Sequence, residues 1–237
     1  MKTKSLVWYE LRIIFGLSAL LPALLLPLGG LLAWLVGAEL AVEQRVVELS
    51  RAFELVVPLT SGLAVCHLMG VEREQHFAEL RATYPENPWR LPLMRIGGAL
   101  GVLALIVILS TILLLGAFGT FDLQRVVVPA FAPAILLMGL GLLISSISGS
   151  YWAATGVVMS YWFIELLTKG GLSGPIFLFE RTWPTKTHAY ATNRWLLISI
   201  GMGLLIATVV VSVWRRISRI QIQGQRPRVG FDAPSNQ

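Results

Sequence analysis

Long apolar runs separated by short polar segments dominate the chain. A helix needs about 20 apolar residues to cross the hydrocarbon core of a bilayer. Six runs approach or exceed this length, at residues 13–36, 53–70, 96–119, 126–148, 151–168 and 195–213. They are apolar at successive positions and not only at alternate ones, which favours helices over the strands of a membrane barrel. The pattern predicts an all-α integral membrane protein with six transmembrane helices.

Composition supports this class and excludes others. The chain has 237 residues, of which 55% are hydrophobic and only 14% are charged, whereas a soluble domain carries about 25% charged residues. In such a protein the net charge of +6 is typical of basic residues beside membrane spans, so no nucleic-acid partner is expected. The single cysteine, Cys66, excludes an internal disulfide.

The basic residues indicate an orientation. An even number of spans places both termini on one side. With the termini inside, twelve of the 19 basic residues fall on the cytoplasmic side and seven on the other, as the positive-inside rule favours. We therefore predict a multi-pass protein of the cell inner or plasma membrane with cytoplasmic termini. Residues 1–220 form one transmembrane domain, and residues 221–237 lack periodicity and are expected to be a disordered tail.

The connections between the later spans carry further information. The third and fourth runs are joined by about six residues, and the Ser-rich residues 145–150 join the fourth and fifth, so these spans should be antiparallel neighbours. Small residues at the end of the fourth run permit close helix contact in lipid; they are Gly139, Gly141, Ser145 and Ser146. The last loop, 169–194, is too apolar for a solvent loop and predicts short helices that dip back toward the membrane.

A charged segment, residues 70–85 (GVEREQHFAELRATYP), separates the second and third runs. Phe77, Leu80 and Tyr84 fall on one helical face, and Pro85 ends the helix. The segment predicts a short amphipathic helix on the cytoplasmic surface. An ordinary solvated loop is the alternative, and the pattern alone does not separate the two.

This segment resembles the cytoplasmic coupling segment of type-2 ABC transporter permeases. In that family the segment follows the second of six spans, begins with acidic residues, ends in a Leu-rich stretch with Thr-x-Pro, and precedes a basic residue before the third span. The matching positions here are Glu72, Glu74, Glu79, Leu80, Thr83, Pro85 and Arg95. Residues 140–156 (LGLLISSISGSYWAATG) also resemble the family's turn between spans four and five, and the long last loop resembles its external re-entrant helices.

The resemblance implies a permease subunit of an ATP-driven exporter. Two permease chains, identical or different, would form the pathway, and separate cytoplasmic ATPase subunits would bind ATP and magnesium. This chain has no G-x-x-x-x-G-K-[ST] loop, so it is expected to be a transport subunit without its own cofactor or enzymatic activity. The residues expected to couple to the ATPase, within 71–85, are Glu72, Arg73, Glu74, Phe77, Glu79, Leu80, Tyr84 and Pro85. The spans lack a row of charges, which favours an amphipathic or apolar cargo such as a lipid, peptide or drug.

Glu165 is a carboxylate inside a predicted span, and such residues are candidates for a transport pathway. Lys169 lies four residues further on, and an i,i+4 ion pair would satisfy the carboxylate without any such role. We expect the pair, with the pathway as the alternative.

Two other classes of function stay open. Residues 171–174 (GLSG) resemble the nucleophile motif of rhomboid intramembrane serine proteases, with Ser173 as nucleophile and His188 as a possible base. Both lie in one loop, so a Gly/Ser turn after a helix is the favoured interpretation. No metal site is expected, because His67, His76 and His188 share no ligand spacing. The remaining class is a membrane assembly or scaffold protein without transport activity.

Overall fold

The structure, a computed structural model, describes residues 42–69, 89–118, 123–184 and 189–224. Five α-helices account for most of these residues: α1 (Val42–Val65), α2 (Arg90–Phe118), α3 (Leu123–Ser148), α4 (Tyr151–Thr168) and α5 (Tyr190–Gly224). A 3-10 helix, η1 (Gly174–Ile176), lies between α4 and α5. No strand occurs within the described ranges, so the all-α prediction is confirmed for them. The first predicted span, 13–36, lies outside them.

Three of the helices are long and apolar enough to cross a membrane. The qualifying stretches are Arg90–Leu109 of α2, Val127–Ser148 of α3 and Tyr190–Arg215 of α5. By composition alone α1 and α4 do not qualify, although each overlaps a predicted span. Both carry ionisable side chains on their bundle-facing sides, Glu54 in α1 and Glu165 in α4.

Helix α3 is the centre of the bundle. Its membrane-length stretch is 67% buried, against 39% for α2 and 33% for α5, because α1, α4 and α5 all pack around it. The apolar core follows from this arrangement: Met138 and Leu142 of α3 pack with Val57 and Leu68 from the α1 side and Leu205 of α5.

Glycines bring three of these helices into close contact. A methyl group at Gly139 of α3 would lie 2.7 Å from the carbonyl oxygen of Gly201 of α5, and one at Gly201 would lie 2.9 Å from the carbonyl carbon of Ile135. On the other side of α3, a methyl group at Gly141 would lie 3.1 Å from the carbonyl oxygen of Gly62 of α1. The prediction of close helix contact at Gly139 and Gly141 is therefore confirmed.

A two-residue turn joins α3 to α4 and makes them antiparallel neighbours, as predicted. Gly149 has φ +64°, a left-handed conformation that costs glycine little. Ser150 then caps α4, because its side-chain oxygen accepts a hydrogen bond from the backbone N–H of Ala153.

The contacts between helices define two ends of the bundle. Helices α3 and α5 are parallel, since Ile135 meets Gly201 and, eleven residues further along each helix, Ser146 meets Ser212. The α3–α4 turn and Arg215 thus lie at one end, called here the Arg215 end. The start of α5 and the connection between α4 and α5 lie at the opposite end, called here the loop end.

Helix α5 is longer than the sixth predicted span. It continues to Gly224, so the prediction of a disordered tail from residue 221 is wrong for residues 221–224. The rest of that predicted tail lies outside the described ranges. At the Arg215 end the half-buried Arg215 side chain donates from Nη1 to the carbonyl oxygen of Ser146 at 2.7 Å, which ties the ends of α3 and α5 together.

Candidate functional site

The connection after α4 folds back onto the bundle at the loop end. Helix α4 ends where Lys169 adopts a left-handed conformation with φ +50°, and Gly170 follows with φ +82°. Within residues 169–184 a single 3-10 helix, η1, forms in place of the predicted short helices. The prediction that this stretch is not a solvent loop is nevertheless correct, because Phe177, Leu178 and Phe179 are fully buried.

An aromatic cluster anchors this connection. The Phe179 ring meets the rings of Phe177, Trp162 and Trp183 edge to face at centroid distances of 5.8, 5.9 and 6.1 Å, a favoured geometry for aromatic pairs. The indole Nε1 of Trp162 donates to the carbonyl oxygen of Leu55 in α1 at 3.0 Å. The cluster therefore joins the connection to both α4 and α1.

Glu54 of α1 is the main polar anchor of the connection. Its side chain is fully buried and accepts from the backbone N–H groups of Arg181 at 3.0 Å and Thr182 at 2.8 Å, and from the Thr182 hydroxyl at 2.7 Å. Arg194 of α5 donates from Nη2 to the same carboxylate and forms a buried ion pair with it. These donors offset the hydration that a buried carboxylate loses.

The first turn of α5 also binds the backbone of the connection. Arg194 donates from Nη1 to the carbonyl oxygen of Leu178 at 3.2 Å, and its guanidinium carbon lies 4.7 Å from the ring centroid of Tyr190. Asn193 donates from Nδ2 to the carbonyl oxygens of Pro175 and Phe177, both at 2.9 Å. Side chains from α5 thus satisfy backbone groups that no regular helix satisfies here.

Glu165 of α4 is the second buried carboxylate at this end. It accepts a hydrogen bond from the hydroxyl of Ser173 at 2.8 Å. The predicted ion pair with Lys169 is wrong: α4 ends at Thr168, and the left-handed Lys169 directs its ammonium over the ring of Trp183, 5.8 Å from the centroid. Pairing at i,i+4 requires the helix to continue through both residues.

This geometry bears on the predicted serine nucleophile. The Ser173 hydroxyl donates a hydrogen bond to the carboxylate of Glu165, which is packed within the loop end. Among the histidines, His67 lies near the Arg215 end, and His76 and His188 lie outside the described ranges. Nor do any three His, Cys, Asp or Glu side chains in the described part of the chain come together as a metal site would require. The arrangement of the described residues joins three helices and does not resemble a nucleophile with its base.

The residues predicted to couple to an ATPase all fall outside the described ranges. They are Glu72, Arg73, Glu74, Phe77, Glu79, Leu80, Tyr84 and Pro85. The structure does describe the residues that flank this segment, Met69 before it and the start of α2 after it. Arg95, near the start of α2, is buried and has Nη1 at 3.9 Å from the sulfur of Met69, the last described residue after α1.

The sequence interpretation missed the partners at the loop end: Glu54 with Arg194, Thr182 with Glu54, and Asn193 with the backbone. One signal was present, since Glu54 interrupts the outer edge of the second predicted span and Arg194 immediately precedes the sixth. No family model, characterised protein or solved structure matches this chain.

Proposed function

We propose that this chain is the transmembrane permease subunit of an ATP-driven ABC exporter that moves an amphipathic or apolar cargo, such as a lipid, peptide or drug. It would act with a second permease chain and a separate cytoplasmic ATPase, which would bind and hydrolyse ATP. One observation carries the proposal: a charged segment that resembles the coupling segment of such permeases lies between α1 and α2. The six-span arrangement with cytoplasmic termini is part of the same proposal.

The position of that segment supports a docking role. The Arg95 side chain of α2 contacts Met69, just after α1, at the end of the bundle where Arg215 lies. Met69 and the start of α2, the described parts of the chain on either side of the segment, therefore both lie at that end. Basic residues concentrate on cytoplasmic sides of membranes, which favours a cytoplasmic position for this end and for any partner bound there.

The loop end also agrees with this proposal. The connection after α4 resembles, by its position, the external loop between the fifth and sixth spans of the permeases. Its buried aromatic residues and its hydrogen bonds to Glu54 of α1 are expected if this loop closes the pathway on the outer side. No cargo is implied by these contacts.

The test is the double substitution Phe77→Ala with Leu80→Ala. Buried aromatic and aliphatic anchors dominate such interfaces, and each costs about 2 kcal/mol or more when truncated. We expect co-purification of the ATP-binding chain, and transport-stimulated ATP hydrolysis, to be lost while the protein remains in the membrane. Glu79→Gln is the matched control, because a charge at the rim of an interface contributes about 0–1 kcal/mol. Stoichiometric retention of the ATPase by the double variant would contradict the proposal.

The proposed orientation has its own test. A cysteine at Ser235, with Cys66→Ala as background, should react with a membrane-impermeant thiol reagent only after cells are opened. Labelling in intact cells would place the C-terminus outside and remove the coupling segment from the cytoplasm.

A further inference from the structure

Helix α5 has an exposed apolar stripe with a tryptophan at each end. Trp195 and Trp214 are 69% and 67% exposed, and the large exposed side chains between them are apolar: Ile200, Met202, Ile206 and Val210. No charged residue lies between the two tryptophans. Nineteen residues of helix rise about 28 Å, close to the roughly 30 Å of bilayer hydrocarbon. Tryptophan concentrates at the two membrane–water interfaces, so the spacing fits one ring in each.

Helix α4 contributes a third tryptophan at one of these levels. Val158 contacts α3 at Gly141, with Cγ2 3.4 Å from a methyl group placed there. Trp152 lies six residues before Val158, or about 9 Å toward the Arg215 end, and Ser146 lies about 8 Å from Gly141 in the same direction. Ser146 is hydrogen-bonded to α5 two residues before Trp214. Trp152, which is 78% exposed, therefore lies near the level of Trp214.

The outer surface of α4 beyond Trp152 is apolar except for Ser160. Phe163, Ile164 and Leu167 are exposed, whereas Glu165 is buried. The one charged residue of α4, Glu165, thus faces the bundle and not the surroundings. From Trp152 to the end of α4 at Thr168 the rise is about 24 Å, most of the distance between the two tryptophan levels.

We infer that the bundle binds a phospholipid bilayer with one headgroup region at Trp152 and Trp214 and the other at Trp195, so that α4 crosses the hydrocarbon although its composition does not qualify it. Arg194 directly precedes Trp195 in the sequence, so its ion pair with Glu54 then lies at headgroup level. Glu165 is thirteen residues, or about 20 Å, from Trp152. Glu165 lies within the hydrocarbon layer of the loop-end leaflet, shielded from lipid by the bundle, and accepts its hydrogen bond from Ser173 there. This placement rests on the six-span part of the proposed function, but it does not depend on transport, on an ATPase or on the orientation of the termini.

Depth measurements with spin labels test this placement. The full-length protein, with Cys66→Ala as background, carries single cysteines at Trp152, Phe163, Ile206 or Trp214 and is reconstituted in phosphatidylcholine and phosphatidylglycerol liposomes. Oxygen concentrates in the hydrocarbon and a nickel chelate in water. We expect the ratio of oxygen to nickel collisions to be severalfold higher at Phe163 and Ile206 than at Trp152 and Trp214. Phe163 is the decisive position, because only the placement of α4 across the bilayer makes it deep.

A nickel accessibility at Phe163 equal to that at Trp152 would overturn the inference, as it would show α4 outside the hydrocarbon. Equal ratios at Ile206 and Trp214 would overturn the two headgroup levels. Ile164→Cys, on the same exposed face, serves as a second reporter if Phe163→Cys fails to assemble. A deep label there supports the inference, and a water-accessible one contradicts it.

Discussion

The middle of the bundle and its loop end hold the same helices together by opposite means. In the middle, α1, α3 and α5 meet where side chains are absent, at Gly62, Gly139, Gly141 and Gly201. At the loop end, α1 and α5 meet through a charged pair and through backbone groups that the pair satisfies. Lipid supplies no hydrophobic force between helices, so packing and hydrogen bonds must supply the contact energy.

The two regions should tolerate different kinds of substitution. The glycine contacts depend on shape alone, so they respond to volume and are insensitive to charge. The loop end depends on a balance between two buried charges, in which the loss of either leaves the other unsatisfied. Substitutions that change only charge should therefore separate the two regions from substitutions that change only volume.

The largest effect is expected for Glu54→Gln. It leaves Arg194 buried without its carboxylate, and breaking a buried ion pair costs about 3–5 kcal/mol. The measurement is the free energy of unfolding in detergent micelles. The matched control is Glu48→Gln on the same helix, whose pair with Arg51 has side chains 38% and 40% exposed and should contribute about 0–1 kcal/mol. Equal losses in the two variants would remove the distinction between a buried and an exposed pair.

A volume change in the middle is expected to have the next largest effect. In Gly139→Ala the added methyl group lies 2.7 Å from a backbone oxygen of α5, so the helices must separate, at a cost of about 1–3 kcal/mol. Gly203→Ala is the control on α5, because nothing lies within 4 Å of a methyl group there. It should be neutral or stabilising by up to about 1 kcal/mol. Thermal unfolding of both variants, compared with the parent, distinguishes the outcomes; an unchanged Gly139→Ala would mean that the helices are not in close contact.

The loop end should also respond to loss of an uncharged donor. Ser173→Ala removes the side-chain donor from Glu165 and leaves a buried acceptor, at a cost of about 1–3 kcal/mol. The control is Ser218→Ala. The Ser218 hydroxyl donates to the carbonyl of Trp214 in its own helix, so its loss should change stability by no more than about 0.5 kcal/mol.

Glu165→Gln tests the acceptor of the same hydrogen bond. It keeps an oxygen that can accept from Ser173, so it should cost less than Ser173→Ala. If its assembly survives while transport collapses, Glu165 lines the pathway; normal transport limits it to holding Ser173.

The smallest effect is expected for Trp162→Phe. The substitution keeps a ring beside Phe179 but removes the hydrogen bond to the Leu55 carbonyl, and an average hydrogen bond contributes about 0.5–1.5 kcal/mol. Trp195→Phe, on the exposed face of α5, is the comparison and should alter stability by about 0.5 kcal/mol or less. A larger loss from Trp195→Phe would indicate that the exposed ring contributes more than the buried bond.

The sequence was sufficient to predict that the described ranges are helical and that helices approach closely at Gly139 and Gly141. Both follow from local patterns: long apolar runs predict helices, and small residues on one helix permit close approach whichever partner they meet. It was also sufficient to show that residues 169–184 are not a solvent loop, because Phe177 and Phe179 are too apolar for one. Their conformation was not predictable, since a 3-10 turn and left-handed residues have weak sequence signals.

The polar contacts at the loop end could not be predicted from the sequence. Glu54 and Arg194 are 140 residues apart, and no local rule relates them. The Glu165–Lys169 prediction failed for a local reason: the predicted span ends at residue 168, as α4 does, and Lys169 beyond it adopts a left-handed conformation that takes its side chain away from Glu165. The conformation of one residue after the helix is enough to make Ser173, and not Lys169, the partner of the carboxylate.

The separation of Glu54 from Arg194 along the chain has a consequence for biosynthesis. Chains are made from the N-terminus, so Glu54 leaves the ribosome long before its partner is translated. Until α5 is inserted, α1 carries a carboxylate without its cation, and the connection after α4 has no Asn193 or Arg194 to bind its carbonyl groups. The ion pair can close only when the last helix is in place. Its formation therefore marks the completion of assembly, and a chain that stops before residue 194 should remain recognisable to quality control as unfinished.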